Sequence, residues 1–188
     1  MVSELYRKNK NQRDAYSSPW PKKEAIMIRI WEVVWTLFVR WLPKPFYRWH
    51  IFLLKLFGAH ISGHPFIAPT ARIYAPWLLT VGDRSCIATR SEIYNLGPVK
   101  ERVTIAQYAY ICNGSHDLSD NKLPLVVGDV VIDNDVFIGA RAIILPGLHL
   151  CRYSVVGAGA VLTKNTTDFG IYAGNPARFI KERNIYGE

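Results

Sequence analysis

His116 is the residue of this sequence whose type and setting fit acid–base chemistry best. It follows the turn-forming residues NGS and precedes a polar, acidic loop. An imidazole titrates at about pH 6.5 in unstructured peptides, so it can take a proton from a hydroxyl group near neutral pH. A surface histidine that only closes a turn is the alternative to this general base. The remaining histidines are interpreted as structural: His50, His60, His64 and His149.

An aliphatic residue recurs at every sixth position along most of the chain, and this period predicts the fold that must position His116. The first row comprises Val81, Ile87, Ile93, Val99, Ile105 and Ile111. The second row comprises Val126, Ile132, Ile138, Ile144, Leu150, Val156 and Leu162. Small residues follow many of these positions by four: Ser85, Ser91, Gly97, Ala109, Ser115, Ala142, Ser154 and Ala160. Neither a helical period nor simple alternation produces a row at six.

A solenoid produces such a row when each flat face takes one hexapeptide and three faces close a triangular coil. The period therefore predicts an all-β solenoid of parallel hexapeptide repeats. A β-sandwich of short strands is the alternative, and thirteen aliphatic residues at fixed spacing disfavour it. Ile61, Ile67 and Ile73 continue the row two residues out of register. This shift predicts a small bulge in the segment APWLLT, residues 75–80.

The two rows differ in phase, which indicates an insertion between them. The first row stops at Ile111 and the second resumes at Val126. Residues 117–125 are therefore predicted to leave the solenoid as a loop, with His116 at its root. Loops held by a rigid scaffold are frequent sites of binding and catalysis.

The distribution of charge divides the chain into a basic N-terminal third and a nearly neutral remainder. The 188 residues suffice for one domain, predicted as an N-terminal polar segment (1–23), a helical cap (24–60), the solenoid (61–167) and a C-terminal tail (168–188). The net charge is +8, and residues 1–60 carry 11 Lys and Arg against 4 Asp and Glu. The cysteines lack metal-type spacing and no export signal is visible, so a reducing cytoplasm is expected.

The helical cap is rich in tryptophan and basic residues. Residues 24–57 are predicted to form two helices separated by Pro43 and Pro45. Charges recur too often for a transmembrane span. The first helix has one polar stripe, with tryptophans flanking a wide apolar face: Arg29, Glu32, Thr36 and Arg40 form the stripe, and Trp31, Trp35 and Trp41 lie beside it.

Two compatible interpretations of the cap stay open. The helices could cover the first coil, because the ends of solenoids require capping. They could also lie on an anionic membrane surface, near lipid-linked acceptors, at the inner face of the membrane. Nucleic-acid binding is not expected, because the charge is interleaved with aromatic residues and no recognition motif is present.

Several motifs together resemble a known family over residues 28–183. They are LLKLFGAHI, ARIYAPWLLTVGD, IYNLGPV, IAQYAYICNGSHD, VIDNDVFIGARAIILPG, VVGAGAVLTKN and YAGNPARFIK. They are similar to the left-handed β-helix acetyltransferases, and within these to the colanic-acid-biosynthesis type related to galactoside and maltose O-acetyltransferases. The resemblance implies a left-handed solenoid, acetyl-CoA as co-substrate, no metal, and direct O-acetylation of a sugar or lipid-linked saccharide for a surface polysaccharide. It also implies a homotrimer with its pocket between neighbouring subunits.

The resemblance assigns His116 as the general base. Asn95 matches an asparagine that lines the acetyl or acceptor pocket, and a corner residue with left-handed backbone is its alternative. The same two alternatives, a pocket residue or a corner residue, apply to Asn113. Asp117 could orient the imidazole or bind a sugar hydroxyl, or it could be solvated, because adjacent residues of an extended chain point in opposite directions.

The resemblance also implies the residues that bind the cofactor. Small residues would let a pantetheine arm run along the backbone, and cations would bind the phosphates. The matching positions are Gly139, Ala140, Gly157, Ala158, Thr163, Lys164, Arg178 and Lys181. Coil packing alone, or a solvated basic tail, would look similar. Lys100, Glu101 and Arg102 depart from the pattern of the relatives, and a local irregularity is expected there.

Three other functions stay open at this point. The same base would serve N-acetylation of an amino sugar. A carbonic anhydrase on the same solenoid would need three histidines converging on zinc, and no second histidine lies within ten residues of His116. A non-catalytic solenoid scaffold would not bind coenzyme A.

Overall fold

The computed structural model describes residues 7–9, 12, 14, 16–94 and 97–185, which form a solenoid preceded by two helices. The helices are α1 (Lys22–Phe38) and α2 (Tyr47–Leu56), with a 3-10 turn at Lys44–Phe46 between them. The predicted break is confirmed. Helix α1 ends four residues before the apolar pattern does, because the chain turns ahead of Pro43, which cannot extend a helix.

Twenty short strands are present among these residues. They are β1 (Arg7–Lys8), β2 (His60–Ile61), β3 (Phe66–Ile67), β4 (Arg72–Ile73), β5 (Thr80–Val81), β6 (Cys86–Ile87), β7 (Glu92–Ile93), β8 (Pro98–Val99), β9 (Thr104–Ile105), β10 (Tyr110–Ile111), β11 (Gly114–His116), β12 (Leu125–Val127), β13 (Val131–Ile132), β14 (Phe137–Ile138), β15 (Ile143–Ile144), β16 (His149–Leu150), β17 (Val155–Val156), β18 (Val161–Leu162), β19 (Gly170–Ala173) and β20 (Arg178–Glu182).

Three parallel sheets form the faces of the solenoid. In spatial order, the first face contains β2, β5, β8, β13 and β16, the second β3, β6, β9, β14 and β17, and the third β4, β7, β10, β15 and β18. Strands β19 and β20 continue the second face as an antiparallel hairpin. Each coil therefore contributes one strand to each face, which confirms the triangular hexapeptide solenoid.

The aliphatic rows form the core of the solenoid, as the period predicts. Val81 to Ile111 and Ile132 to Leu162 occupy the inward position of each strand and are fully or almost fully buried. The predicted bulge is a 3-10 turn at Pro76–Leu78. Val126 was wrongly assigned to the solenoid row, and Ser115 was wrongly assigned to a tight corner. Both belong to the hairpin β11–β12, where they pair with each other, so their spacing is coincidental.

Two of the corners differ in the side chains that follow the strands. The residues after the second-face strands form the small-residue corner, which comprises Ala68, Ala88, Ala106, Gly139 and Gly157. The residues after the third-face strands form the histidine corner, which comprises Tyr74, Tyr94, Cys112, Leu145 and Thr163. In each column, backbone N–H groups bond to carbonyls of the next coil, so every corner recurs in register.

The irregularity expected at residues 100–102 is not observed. Strands β8 and β9 flank this segment and pair in register with the adjacent coils. Arg102 adopts a left-handed φ of 54° at the corner, as Arg84 and Arg90 do at theirs. Its guanidinium donates to both carboxylate oxygens of Asp135 at 2.7 and 2.9 Å, which ties this coil to the next. The unusual charges therefore reinforce the repeat.

One side of the helical cap packs on the first coils. Trp31 is buried and donates from its indole nitrogen to the carbonyl of Ile73 at 2.8 Å. Trp35 packs against both Trp31 and the buried His50, whose pKa is lowered by burial. In the described part of the chain, no helix is both long and apolar enough to cross a bilayer.

Candidate active site

His116 lies on a β-hairpin that leaves the solenoid at the histidine corner. After β10 the chain continues through Cys112 into β11, reverses through residues 117–124, and returns along β12. Gly128 then donates its backbone N–H to the carbonyl of Asn113 at 2.9 Å, which closes the base of the hairpin. The N-terminal strand β1 adds to β12 as a third strand. The hairpin thus includes more than the loop predicted from the sequence.

The backbone of the loop fixes the orientation of the imidazole. His116 Nδ1 lies 2.6 Å from the carbonyl oxygen of Leu123. A carbonyl oxygen can only accept a hydrogen bond, so Nδ1 carries a proton, and in the neutral imidazole the lone pair lies on Nε2. Leu123 has a left-handed φ of 47°, a conformation that leucine rarely adopts. Such strain persists only where surrounding structure maintains it, and it is frequent at functional sites.

Asp117 has a different environment from the one predicted. The prediction of a solvated side chain is wrong, because Asp117 is buried. Its carboxylate accepts hydrogen bonds from the backbone and the hydroxyl of Ser119, which folds the start of the loop. The imidazole of His116 is instead held by the carbonyl of Leu123.

A cavity of about 430 Å³ adjoins His116. One wall is aromatic: Tyr74 and Tyr94 stack at 4.6 Å between ring centroids, and tilted ring contacts join Tyr94 to Tyr110 at 5.6 Å and Trp20 to Tyr74 at 5.9 Å. The opposite wall is the hairpin. Glu24, at the start of α1, supplies a carboxylate to the lining. The cavity thus combines aromatic and aliphatic side chains with polar groups that include Glu24, Asn113 and His116, a combination found in small-molecule sites.

Tyr94 and Tyr110 in this wall remain neutral phenols near neutral pH. Burial raises the pKa of Tyr94 and of Tyr110 above the ordinary value for tyrosine. They can therefore donate hydrogen bonds and stack on a ligand, but they do not act as bases near neutral pH.

Of the two asparagines predicted beside the acceptor, Asn113 lines the cavity. Asn95 lies outside the described residues, so its predicted role is unchanged. Neither tyrosine stacking nor the Leu123 carbonyl was predicted from the sequence. A signal for the tyrosines was present, because Tyr74 and Tyr94 each directly follow an inward isoleucine of the row.

The predicted cofactor glycines lie together at the small-residue corner. Gly139 and Gly157 occupy the same corner of adjacent coils, and Gly159 donates its N–H to the carbonyl of Ala140 at 2.8 Å. A Cβ on Gly139 would lie 2.5 Å from the backbone nitrogen of Ala158, so coil packing itself requires this glycine. Ala158 is exposed beside it.

The remaining predicted cofactor residues are divided between two places. Arg178 is exposed and pairs with Ala173, which continues the small-residue corner beyond Gly157. Lys181 is exposed on the same strand β20. Thr163 and Lys164 follow β18 instead and lie at the histidine corner, two coils beyond Cys112. One chain therefore presents its histidine and its small-residue groove at different corners.

The residues that the structure describes contain no assembled set of metal ligands. No three His, Cys, Asp or Glu side chains among them are grouped to hold an ion. His149 donates from Nε2 to the Asp133 carboxylate at 2.8 Å, and Lys100 pairs with the same carboxylate at 2.6 Å. These contacts agree with the interpretation of His149 as a structural residue.

Comparison with known proteins decides the family. The chain is 33% identical over 161 residues to the putative colanic acid biosynthesis acetyltransferase WcaF of Escherichia coli (strain K12), covering 85% of this chain and 88% of WcaF. Residues 129–164 also match the family model described as the hexapeptide repeat of succinyl-transferase. The chain is a hexapeptide-repeat acetyltransferase.

The fold of this acetyltransferase recurs in solved structures of the left-handed β-helix class. A hexapeptide-repeat acetyltransferase of Vibrio cholerae O1 biovar eltor, complexed with acetyl coenzyme A, superposes with a TM-score of 0.79 at 17% identity, over 94% of this chain and 97% of that one. A maltose O-acetyltransferase from Clostridium difficile 630 superposes with a TM-score of 0.75 at 22% identity, over 88% and 90% of the two chains.

Proposed function

We propose that this acetyltransferase transfers the acetyl group of acetyl-CoA directly to a sugar hydroxyl in the synthesis of a bacterial surface polysaccharide, with His116 as general base. The observation that carries the proposal is the Nδ1 hydrogen bond from His116 to the Leu123 carbonyl. It leaves the Nε2 lone pair available beside an aromatic cavity. The sequence similarity to the putative colanic acid biosynthesis acetyltransferase WcaF, which covers 85% of this chain, supports the biosynthetic role.

In the proposed reaction, the acceptor hydroxyl attacks the thioester carbonyl while His116 Nε2 takes its proton. A carbon–oxygen bond forms, the carbon–sulfur bond breaks, and the imidazolium returns the proton to the departing thiolate. The products are the acetylated sugar and the free thiol of coenzyme A. General base catalysis of this kind contributes about 10²- to 10⁴-fold to the rate.

The cavity beside His116 is proposed as the acceptor site. The tyrosine wall offers faces against which the apolar side of a sugar ring can pack, and neutral phenols can donate to its hydroxyls. The Glu24 carboxylate can accept a hydroxyl hydrogen bond. Asn113 and Asn95 are proposed to complete this site.

The small-residue corner is proposed as the acetyl-CoA groove. Ala140 and Ala158 leave the backbone accessible to a pantetheine arm, and Arg178 lies where the groove ends. Lys164, Thr163 and Lys181 are proposed as further contacts to the distant part of the cofactor. The complex of the Vibrio relative with acetyl coenzyme A supports this co-substrate.

A homotrimer is proposed because the two halves of the site lie at different corners of one chain. A neighbouring copy related by a cyclic rotation can bring its small-residue corner to the His116 hairpin. The active site is then shared, and a monomer is inactive. A cytoplasmic location is proposed as well, since Cys86, Cys112 and Cys151 are thiols in the described structure.

The test is release of coenzyme A thiol across a panel of neutral and amino sugars, with coenzyme A binding measured in parallel. His116→Ala should bind coenzyme A normally and lose at least about 10²-fold in rate. His64→Ala is the matched control, because His64 is an exposed histidine in a turn of the first coil, and it should retain the wild-type rate. An equal rate for His116→Ala, or release driven by amino sugars alone, contradicts the proposal.

A further inference from the structure

The cap presents an apolar stripe that faces away from the solenoid. On α1 the buried residues are Ile28, Trp31 and Trp35. Residues two positions apart on a helix point about 200° apart. The side chains two positions away from the buried ones are therefore on the opposite side, and all are exposed: the large apolar Ile26, Ile30, Val33 and Leu37, together with Arg29. Capping uses one side of this helix and leaves the other without a partner in the described structure.

The second helix and the connection extend the same kind of surface. Trp49 donates from its indole nitrogen to the carbonyl of Phe38 at 3.0 Å, and it stacks on Phe52 at 5.4 Å. Leu56 follows Phe52 by about one turn on the exposed side. These contacts make the surface continuous from the end of α1 onto α2.

We name this surface the apolar face of the cap. It comprises Ile26, Ile30, Val33, Leu37, Phe38, Phe46, Trp49, Phe52 and Leu56, whose side chains are between 40% and 67% exposed. Nine of the nineteen large apolar residues exposed in the described structure thus lie on the two helices and the turn between them. Soluble proteins rarely expose so concentrated an apolar surface unless it contacts something.

The charges around this face are predominantly positive. Residues 22–56 contain seven Lys and Arg against two Asp and Glu, whereas residues 61–188 are nearly balanced, with 12 against 11. Both acidic residues, Glu24 and Glu32, are half-buried, whereas Arg29 and Arg48 are exposed. Cations and tryptophans bordering an apolar stripe are the features of a helix that lies in the interface of an anionic bilayer.

We infer that the apolar face of the cap docks this enzyme on an anionic phospholipid surface. A second copy of the chain is the competing occupant, but two such faces would bring the same excess of positive charge together, which opposes association. An anionic headgroup layer complements that charge, and the acyl region receives the apolar side chains.

Docking deepens the proposed function, on which this step rests. Glu24 lines the cavity beside His116, and Ile26 begins the apolar face two residues later. Along the helix axis the acceptor cavity therefore lies within about one turn of the start of the docked surface, on the opposite side of α1. A saccharide carried on a membrane lipid is the acceptor class that this arrangement favours.

The experiment is flotation of the full chain with vesicles of phosphatidylcholine alone and of phosphatidylcholine with about one third phosphatidylglycerol. Wild type should float with the anionic vesicles and be released by high salt. The double variant Leu37→Gln, Phe52→Gln should lower the partition coefficient at least tenfold, because two apolar side chains are lost from the interface. Ile180→Gln is the matched control, since Ile180 is similarly exposed on β20, and it should bind as wild type does.

Sedimentation velocity and thiol release with a soluble sugar separate the alternatives. The double variant should retain the oligomeric state and the soluble-acceptor rate of wild type. Wild type that fails to float with anionic vesicles overturns the inference, and so does a double variant that dissociates, because the face would then join copies of the chain. If wild type floats with anionic vesicles but releases no thiol with any sugar acceptor, the proposed function is overturned and docking remains in place.

Discussion

The small-residue corner and the histidine corner arise from the same repeat and differ in what the repeat permits. At the small-residue corner, Ala106, Gly139 and Gly157 continue from coil to coil without interruption. At the histidine corner, aromatic side chains accumulate on the early coils, and the hairpin β11–β12 interrupts the column. A smooth corner suits a long, flexible cofactor, whereas an interrupted corner can hold one side chain in a fixed orientation.

The largest difference between the corners should appear in cofactor binding. Ala158 is exposed in the proposed groove, so Ala158→Trp should fill the groove without disturbing the core. The affinity for coenzyme A should fall by about 10²-fold or more, a loss of about 2.7 kcal/mol. Isothermal titration calorimetry measures it. Unchanged affinity in a folded Ala158→Trp variant would remove the groove from this corner.

A paired glycine substitution tests how tightly each corner is packed. A Cβ on Gly139 would lie 2.5 Å from the nitrogen of Ala158, whereas a Cβ on Gly114 would meet only the Leu125 side chain at 3.4 Å. Gly139→Ala should lower the free energy of unfolding by about 1–3 kcal/mol, because the backbone of the next coil must shift. Gly114→Ala should change it by less than about 1 kcal/mol. Urea denaturation measures both, and equal losses would show that the corners do not differ in packing.

The tyrosine wall should affect the acceptor and not the cofactor. Tyr94 stacks on Tyr74 and contacts the Tyr110 ring at a tilt, so Tyr94→Ala removes the centre of the wall. The acceptor KM should rise by about tenfold, because stacking and apolar contact are lost. Tyr94→Phe should retain most of the affinity, which separates the ring from its hydroxyl. A rise in the KM for acetyl-CoA with no change for the acceptor would assign this wall to the cofactor.

The smallest effect concerns the charged contact that joins two coils. The Arg102 guanidinium, by hydrogen bonding, holds the pKa of Asp135 below its usual value. The pair therefore stabilises the fold at pH above about 4 and loses this effect as the pH falls through the lowered pKa. Asp135→Asn should unfold at lower urea than wild type at pH 7, and the difference should shrink as the pH falls through the lowered pKa of Asp135. A difference that persists at low pH would mean that the contact is not electrostatic.

The regular part of the molecule could be predicted from the sequence because each coil repeats one local rule. An inward aliphatic residue at every sixth position specifies strand, face and corner together, so Ile87 or Ile138 could be placed without structural information. The rule also produced errors where the chain left the repeat. Val126 has the right spacing but lies in the hairpin, where it pairs with Ser115.

The chemistry at the hairpin could be predicted only in part. The type and position of His116 indicated a base, but its partner is a backbone carbonyl, and the sequence carries no signal for the left-handed φ of Leu123. Asp117 was a reasonable partner by proximity in sequence. The loop instead uses its carboxylate to bond Ser119, which depends on tertiary folding of residues 117–124.

The His116 corner of one copy and the small-residue corner of another are proposed to form one active site. Mixing two kinds of subunit tests whether the site is shared in this way. His116→Ala and Ala158→Trp should each be inactive alone. Co-expressed with different tags and purified as mixed trimers, they should recover about a third of the wild-type rate of thiol release, because one of the three sites in every mixed cyclic trimer combines two intact halves. Mixed oligomers that stay inactive would contradict the shared site and place the whole reaction within a single chain.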